Sequence, residues 1–475
     1  MVIAVVGAGG KTTHIKKLAE KYRSMGMRVL ITTTTHMYRE KETVISNHIS
    51  EILEKIQKEG ICMAGTLSGT EKISALPENI YQELCKRCDV VLVEADGAAG
   101  KSIKYPSDKE PVIPENVDEI HVILGLKALG QTFFAAAHRL EYVKRCLHVT
   151  DADTVQFKHL QKLWKEGYEM PLKEKYPGSV ISFHPGQADS LYERVMAAFL
   201  REDTAADAIS EEWFAQKPEL FLCGGGHVSQ KVAQLGRFLD FRVTVYEERK
   251  EFASKKRIPW ADTILCDSYE NLARYLGGGR QRYYLVATSG HDKDLLCVEQ
   301  ILQTDFEYVG MLGSKGKVAH VRAALEKKGF AAERIDTLHA PVGIKIGGQT
   351  PEEIAVSIAA ELVQVRSARS AGMLPSALEQ VEEDGILCII TGKSGSSPRG
   401  IGSMMFVPFK EMSKVRGTIG GGTVEHLALL EAGEMRTKPA PGIRVREYGL
   451  EKGGALGMVC GGRVEITFVP LITEA

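Results

Sequence analysis

Twice in this chain a short apolar run stops at a glycine-rich loop and resumes as a helical pattern, the arrangement of a strand feeding a ligand loop in an α/β sheet. In the first instance residues 2–6 lead into Gly7-Ala8-Gly9-Gly10-Lys11-Thr12-Thr13, with Ile15, Leu18, Ala19 and Tyr22 at helical spacing behind it. In the second, Leu220-Phe221-Leu222-Cys223 leads into Gly224-Gly225-Gly226-His227-Val228-Ser229, followed by Ala233 and Leu235. Two more glycine-dense loops stand near the end, Gly417-Thr418-Ile419-Gly420-Gly421-Gly422 and Gly457-Met458-Val459-Cys460-Gly461-Gly462. Glycine weakens strands and helices, so loops this rich in it belong where a backbone turns sharply or lies against a ligand.

With 475 residues the chain needs several cores, and the expected fold class is α/β multidomain. A P-loop-like α/β domain is expected over 1–205, a Rossmann-like parallel-sheet domain over 218–366, and a small, mostly β domain over 385–475. The central domain should close with a helix, because Thr350-Pro351-Glu352-Glu353 combines an N-cap, a proline at the first helical position and a capping-box glutamate. Residues 367–383 read as a linker. In the last segment Val464-Glu465-Ile466-Thr467-Phe468 alternates like a half-buried strand.

The formal net charge of -1 offers no footprint for a nucleic-acid backbone or an anionic membrane, and no apolar run has the length of a membrane span. A cytoplasmic protein with small-molecule or protein partners is expected. Nine cysteines in a long chain fit reduced thiols, with the Cys85/Cys88 pair structural.

In the first loop the backbone of Gly7, Gly9, Gly10 and Thr13 would cradle a phosphate, Lys11 would reach its oxygens, and Thr12 would ligate Mg²⁺. The Walker A spacing is imperfect, since Val5 stands where a glycine is required. The run Val90-Val91-Leu92-Val93 delivers Glu94 and Asp96 to the same edge, with Asp96 the expected metal ligand beside Thr12; Thr32 to Thr35 with His36 form a third polar loop there. His14 suggests no role. Residues 1 to about 200 resemble the YqeC-like proteins on these motifs and on Glu110-Pro111-Val112-Ile113-Pro114. That resemblance implies a link to selenium-cofactor biosynthesis and binding of ATP or GTP with Mg²⁺.

The second loop fits G-x-G-x-x-G except at Ser229, and Glu247 follows about twenty residues on, where a Rossmann unit keeps the acid for ribose hydroxyls. Gly224, Gly226, His227, Glu247, His291, Gly313 and Ser314 are the expected contacts of NAD(P) or another dinucleotide. His291 is a candidate acid or base, and Lys315 and Lys317 candidate anion contacts.

In the last segment Ser394-Gly395-Ser396-Ser397-Pro398-Arg399-Gly400 offers hydroxyls, amides and a guanidinium for a phosphorylated ligand. Ser397, Arg399, Gly420, Gly421, Gly422, Cys460 and Gly461 are the expected pocket, with the Cys460 thiolate a soft partner for a metal or chalcogen. Residues 220–366 and 385–470 resemble the XdhC/CoxI family. The motifs are Gly224 to Val228, Tyr308-Val309-Gly310-Met311-Leu312-Gly313-Ser314, His339-Ala340-Pro341-Val342-Gly343, Gly395-Ser396-Ser397-Pro398-Arg399, Gly417 to Gly422 with Glu425, and Gly457 to Gly462. In that family the glycine-rich domain normally precedes the Rossmann domain, whereas here it follows.

The resemblances together imply a maturation factor that binds molybdenum cofactor (molybdopterin) and passes it, sulfurated or selenium-modified, to a molybdenum hydroxylase such as xanthine dehydrogenase. A sulfur- or selenium-donating enzyme would be a further partner, and homo-oligomerisation is expected. NTP hydrolysis by the N-terminal domain would drive loading or release. Two other classes stay open on sequence: an NAD(P)-dependent oxidoreductase using His291, and an ATP-dependent ligase using Lys11.

Overall fold

The computed structural model describes residues 1–45, 48–214, 217–276, 281–368, 374–395, 399–438, 441–449 and 462–472. The chain forms two compact units, one of Met1–Ile209 with Leu378–Pro398 and Met404–Ala475, the other of Ser210–Ala377 with Arg399–Ser403.

In the first unit β1 (Val2–Gly7), β2 (Val29–Thr33), β3 (Ile61–Met63), β4 (Val90–Glu94), β5 (Glu119–Gly125) and β6 (Val180–Gly186) form a parallel sheet in the order β6-β5-β1-β4-β2-β3. Every residue of β1, β2 and β4 is buried, as expected for parallel strands covered on both faces. Helix α1 (Lys11–Ser24) lays Ile15, Leu18 and Ala19 against Ile3, Val5, Val29, Ile31 and Leu92. Helix α2 (Leu191–Arg201) starts from a capping box in which Ser190 Oγ accepts from the Glu193 amide and Glu193 caps the Ser190 amide.

The second unit is a parallel sheet of β7 (Glu219–Cys223), β8 (Arg242–Tyr246), β9 (Thr263–Leu265), β10 (Arg282–Val286), β11 (Tyr308–Met311) and β12 (Leu338–His339), ordered β9-β8-β7-β10-β11-β12. The order reverses between β7 and β10, the switch point at which doubly wound sheets open a ligand crevice. Helices α3 (His227–Phe238), α4 (His291–Ile301) and α5 (Lys315–Lys327) each begin just past a strand's end. The closing helix α6 (Pro351–Ala368) has its capping box formed, Thr350 Oγ1 accepting from the Glu353 amide at 3.3 Å and Glu353 from the Thr350 amide at 3.1 Å. Its own Ile358 and Leu362 are buried.

The last segment returns to the first unit as an antiparallel sheet of β13 (Gly385–Ser394), β14 (Met404–Pro408), β15 (Arg416–Gly417), β16 (Arg444–Gly449) and β17 (Arg463–Leu471), ordered β15-β14-β13-β17-β16. It also carries a helix, α7 (Gly422–Arg436), that strand periodicity did not signal. Helix α2 packs on β17, Arg194 donates to the Val381 and Glu383 carbonyls, and the Glu202 carboxylate takes the Ile443 amide at 2.8 Å. Residues 378–383, the end of the stretch read as a linker, belong to the first unit, with Leu378 and Val381 buried.

Candidate functional site

The first loop owes its glycines to the protein's own backbone. A Cβ on Gly7 would meet the Ile123 carbonyl oxygen at 2.1 Å, and one on Gly9 would meet the Gly125 Cα at 2.5 Å. Gly7, Gly9 and Gly10 all hold positive φ. The Gly7 amide donates to Asp96 and the Ala8 amide to the Ile123 carbonyl. Past them α1 begins with no side-chain cap, so its first-turn amides are the part of the loop suited to an anion.

Around this loop lies a buried charge network. Lys11 Nζ donates to the Gly7 carbonyl at 2.9 Å, and Thr12 Oγ1 to Glu94 at 3.1 Å. Asp96 is fully buried, with one carboxylate oxygen on the Gly7 amide and the other on Lys104. Lys104, equally buried, also donates to the Gly97 carbonyl at 2.7 Å and to Glu110 at 2.6 Å, and Arg139 contacts Glu110 at 3.1 Å. The oxygens of Asp96, the expected metal ligand beside Thr12, are thus engaged by Gly7 and Lys104, and the pair with a cation-binding donor set is Thr12 with Glu94. His36 is exposed on a short strand. Lys104 and Arg139 carried no sequence signal of spacing, and Glu110 stood out only within the resemblance motif.

Burial sets the electrostatics here. It lowers Lys11, against the pull of Glu94 and Asp96, and raises Glu94, against Lys11 and Thr12. Asp96 is pushed up to about 6 by burial, against Lys104, Lys11 and the Gly7 amide. Native Asp96 therefore holds its proton in a range where the unfolded chain, at the ordinary 3.8, has released it. Its contribution to stability is largest in acid and falls as pH rises through about 6. Urea denaturation from pH 4 to 7 should show this decline, and Asp96→Asn should flatten it.

In the second unit Gly224 holds φ +111° and its Cβ would lie 2.3 Å from the Ala287 carbonyl oxygen, whereas the position of Gly226 is open. Ser229, in place of the motif's last glycine, is buried; the close helix-to-strand approach falls to Gly236, whose Cβ would lie 2.7 Å from Leu220. Glu247, expected to face a ribose, is fully buried and accepts from the Gly225 amide at 2.8 Å and from Arg249. Burial raises its pKa, but the Arg249 and Gly225 hydrogen bonds outweigh that and the net shift is downward. Glu247 thus braces the loop from behind. His227 is exposed at the start of α3, His291 begins α4, and Ser314 caps α5 next to Gly313. Lys317, one expected anion contact, is paired with buried Asp294.

In the last segment Gly420, Gly421 and Gly422 hold φ of +121°, +71° and +62° and lead directly into α7. A Cβ on Gly421 or Gly422 would meet nothing within 4 Å. Glu425 fixes the turn, accepting from the Gly421 amide at 2.9 Å and from Thr418 at 2.8 Å. Arg399 is exposed, and Ser397, Cys460 and Gly461 lie outside the described residues.

The family model described as XdhC Rossmann domain matches residues 220–362, and that of the XdhC and CoxI family matches 378–449. The YqeC protein model matches 3–141. The chain is a fusion of YqeC and XdhC/CoxI segments. In this YqeC–XdhC/CoxI chain the Rossmann segment precedes the CoxI-type segment, the permuted order. It is similar to the uncharacterized proteins YqeB and YqeC of Escherichia coli, 33% identical over 159 residues (33% of this chain, 29% of YqeB) and 35% over 140 (27% of this chain, 53% of YqeC). It is also 28% identical over 150 residues to a probable xanthine dehydrogenase subunit of Bacillus subtilis, covering 32% of this chain and 43% of that protein. The matches thus span about half or less of each relative's length. Among the described residues no helix is long and apolar enough to cross a membrane.

Proposed function

We propose that this protein is an accessory factor for a molybdenum hydroxylase of the xanthine dehydrogenase type, binding molybdenum cofactor as cargo and delivering it with a terminal sulfur or selenium. The observation that carries this reading is the joint presence in one chain of both XdhC-type segments and a YqeC segment. The glycine turn before α7 fits the cargo's phosphate: it is open where side chains would block approach, and it ends in the electropositive start of a helix. Arg399, Ser397 and the Cys460 loop are the proposed remainder of that pocket. The YqeC segment would bind ATP or GTP at the start of α1, with Lys11 toward phosphate and Thr12 with Glu94 toward Mg²⁺. The crevice between β7 and β10 would take a dinucleotide or the nucleotide part of the cargo. A client hydroxylase, a sulfur or selenium donor and a second copy of the chain are the proposed partners, in the cytoplasm.

The test is molybdenum bound per chain after anaerobic mixing with released molybdenum cofactor and desalting. The intact protein should retain molybdenum and Cys460→Ser should lose it. No retention by the unsubstituted chain would overturn the carrier role; equal retention by both would move the site away from Cys460.

A further inference from the structure

Apart from the charge network, the first unit brings three histidines from distant parts of the sequence into one cluster. His14 lies in the first turn of α1, His121 in β5 and His184 in β6. The parallel register pairs His121 with Ser182, so His184, two residues on, shares the sheet face of His121. Helix α1 brings His14 onto that face. The ring centroids are 4.1 Å apart for His121 and His184, 4.5 Å for His14 and His184, and 5.2 Å for His14 and His121. One nitrogen from each ring lies within 4.8 Å of the others.

We propose that His14, His121 and His184 form a binding site for a divalent transition metal of the zinc class. Three neutral imidazoles are a donor set suited to zinc, nickel or copper, and poorly suited to Mg²⁺. Nitrogens around one tetrahedral zinc lie about 3.3 Å apart, so side-chain shifts of the order of 1 Å would close the cluster onto an ion. His14 Nε2 lies 2.9 Å from His121 Nδ1, and the other nitrogen of His121 lies 3.1 Å from a Glu119 oxygen. A carboxylate behind a ligating histidine is the usual outer support of such sites, fixing tautomer and ring orientation. Ser182 Oγ holds His184 Nε2 in the same manner at 2.8 Å.

The cluster also has access. His14, His121 and His184 line a cleft of about 1050 Å³ together with Gly10, Lys17 and Lys21. Three protein ligands leave a tetrahedral metal one exchangeable position, and here it would face that cleft. The proposed metal ligands share no residue with the Thr12–Glu94 pair.

The test uses the untagged full chain, stripped with chelator and titrated with Co²⁺ and then Zn²⁺ in the presence of millimolar Mg²⁺. One Co²⁺ per chain is expected, with the strong visible d–d absorption of a four-coordinate ion, displaced by Zn²⁺. His14→Ala and His184→Ala should each weaken binding at least 100-fold while leaving the far-UV dichroism and melting curve of the metal-free chain unchanged. Glu119→Gln should weaken it about 10- to 100-fold, as loss of an outer carboxylate does elsewhere. Buried His121 is left out of the set because its removal would also disturb packing. Absence of stoichiometric Co²⁺ binding, or binding equally tight in both alanine variants, overturns the proposal. Molybdenum retention is read separately, so failure of either idea is distinguishable from failure of the other.

Discussion

Lys104→Met should cost the protein about 3–5 kcal/mol at pH 8, the penalty typical of breaking a buried ion pair by removing one partner. Methionine matches the stem of lysine in length, so the loss reports charge more than volume. Asp96 and Glu110 would be left facing each other without the ammonium that neutralises both, and the Gly97 carbonyl would lose its donor. Asp96 has a second role as acceptor for the Gly7 amide, so its repulsion from Glu110 would be transmitted to the phosphate-type loop. The deficit should shrink toward pH 5, because a proton on Asp96 substitutes for the missing cation. Urea denaturation of the variant and the unsubstituted chain at the two pH values measures this. A loss independent of pH would mean that packing around Lys104, rather than charge, is what the fold requires.

Gly224→Ala should destabilise the second unit by about 3 kcal/mol or more, combining a disfavoured positive-φ backbone with overpacking. The added methyl would sit 2.3 Å from the Ala287 carbonyl oxygen, and that oxygen belongs to backbone. Relief by movement is costly, since the Gly224 amide bonds the Tyr246 carbonyl and the Ala287 amide bonds the Cys223 carbonyl at the ends of β8, β7 and β10. Hydrogen exchange read by mass spectrometry localises the effect: peptides over β7 and β10 should lose protection, while peptides over β1 and β4 should keep theirs. Gly226→Ala is the internal control, because its Cβ position is open and its φ is negative.

The glycine loops were legible because chain sterics leave few alternatives. Apolar run, glycine, helical spacing is a local pattern, and β1 with α1 and β7 with α3 follow from it. The capping box at Thr350 is equally local, four residues satisfying each other's amides. The same local logic did not name the protein's own partners of these residues. Glu247 stands at the spacing of a ribose-binding acid, yet the nearby Gly225 amide and Arg249 take its oxygens. Helix α7 was obscured because its start is a run of glycines, which reads as loop in any single-sequence analysis. Lys104 gave no signal, since a lone lysine eight residues after Asp96 has no periodicity to mark it. His121 and His184 did leave a faint one: each is a polar residue next to apolar ones in its strand, Ile120-His121-Val122 and Phe183-His184.

By itself the sequence determined the strand-loop-helix units around the glycine loops, where the backbone must be glycine, and which families the segments resemble, because these depend on periods of two or 3.6 residues and on steric limits at single positions. The tertiary structure alone decided who pairs with whom. The return of the last segment to the first unit and the meeting of His14, His121 and His184 join residues far apart in the chain. Such pairings follow from sheet order and register, which are settled by burying the whole apolar surface at once and are written in no local stretch.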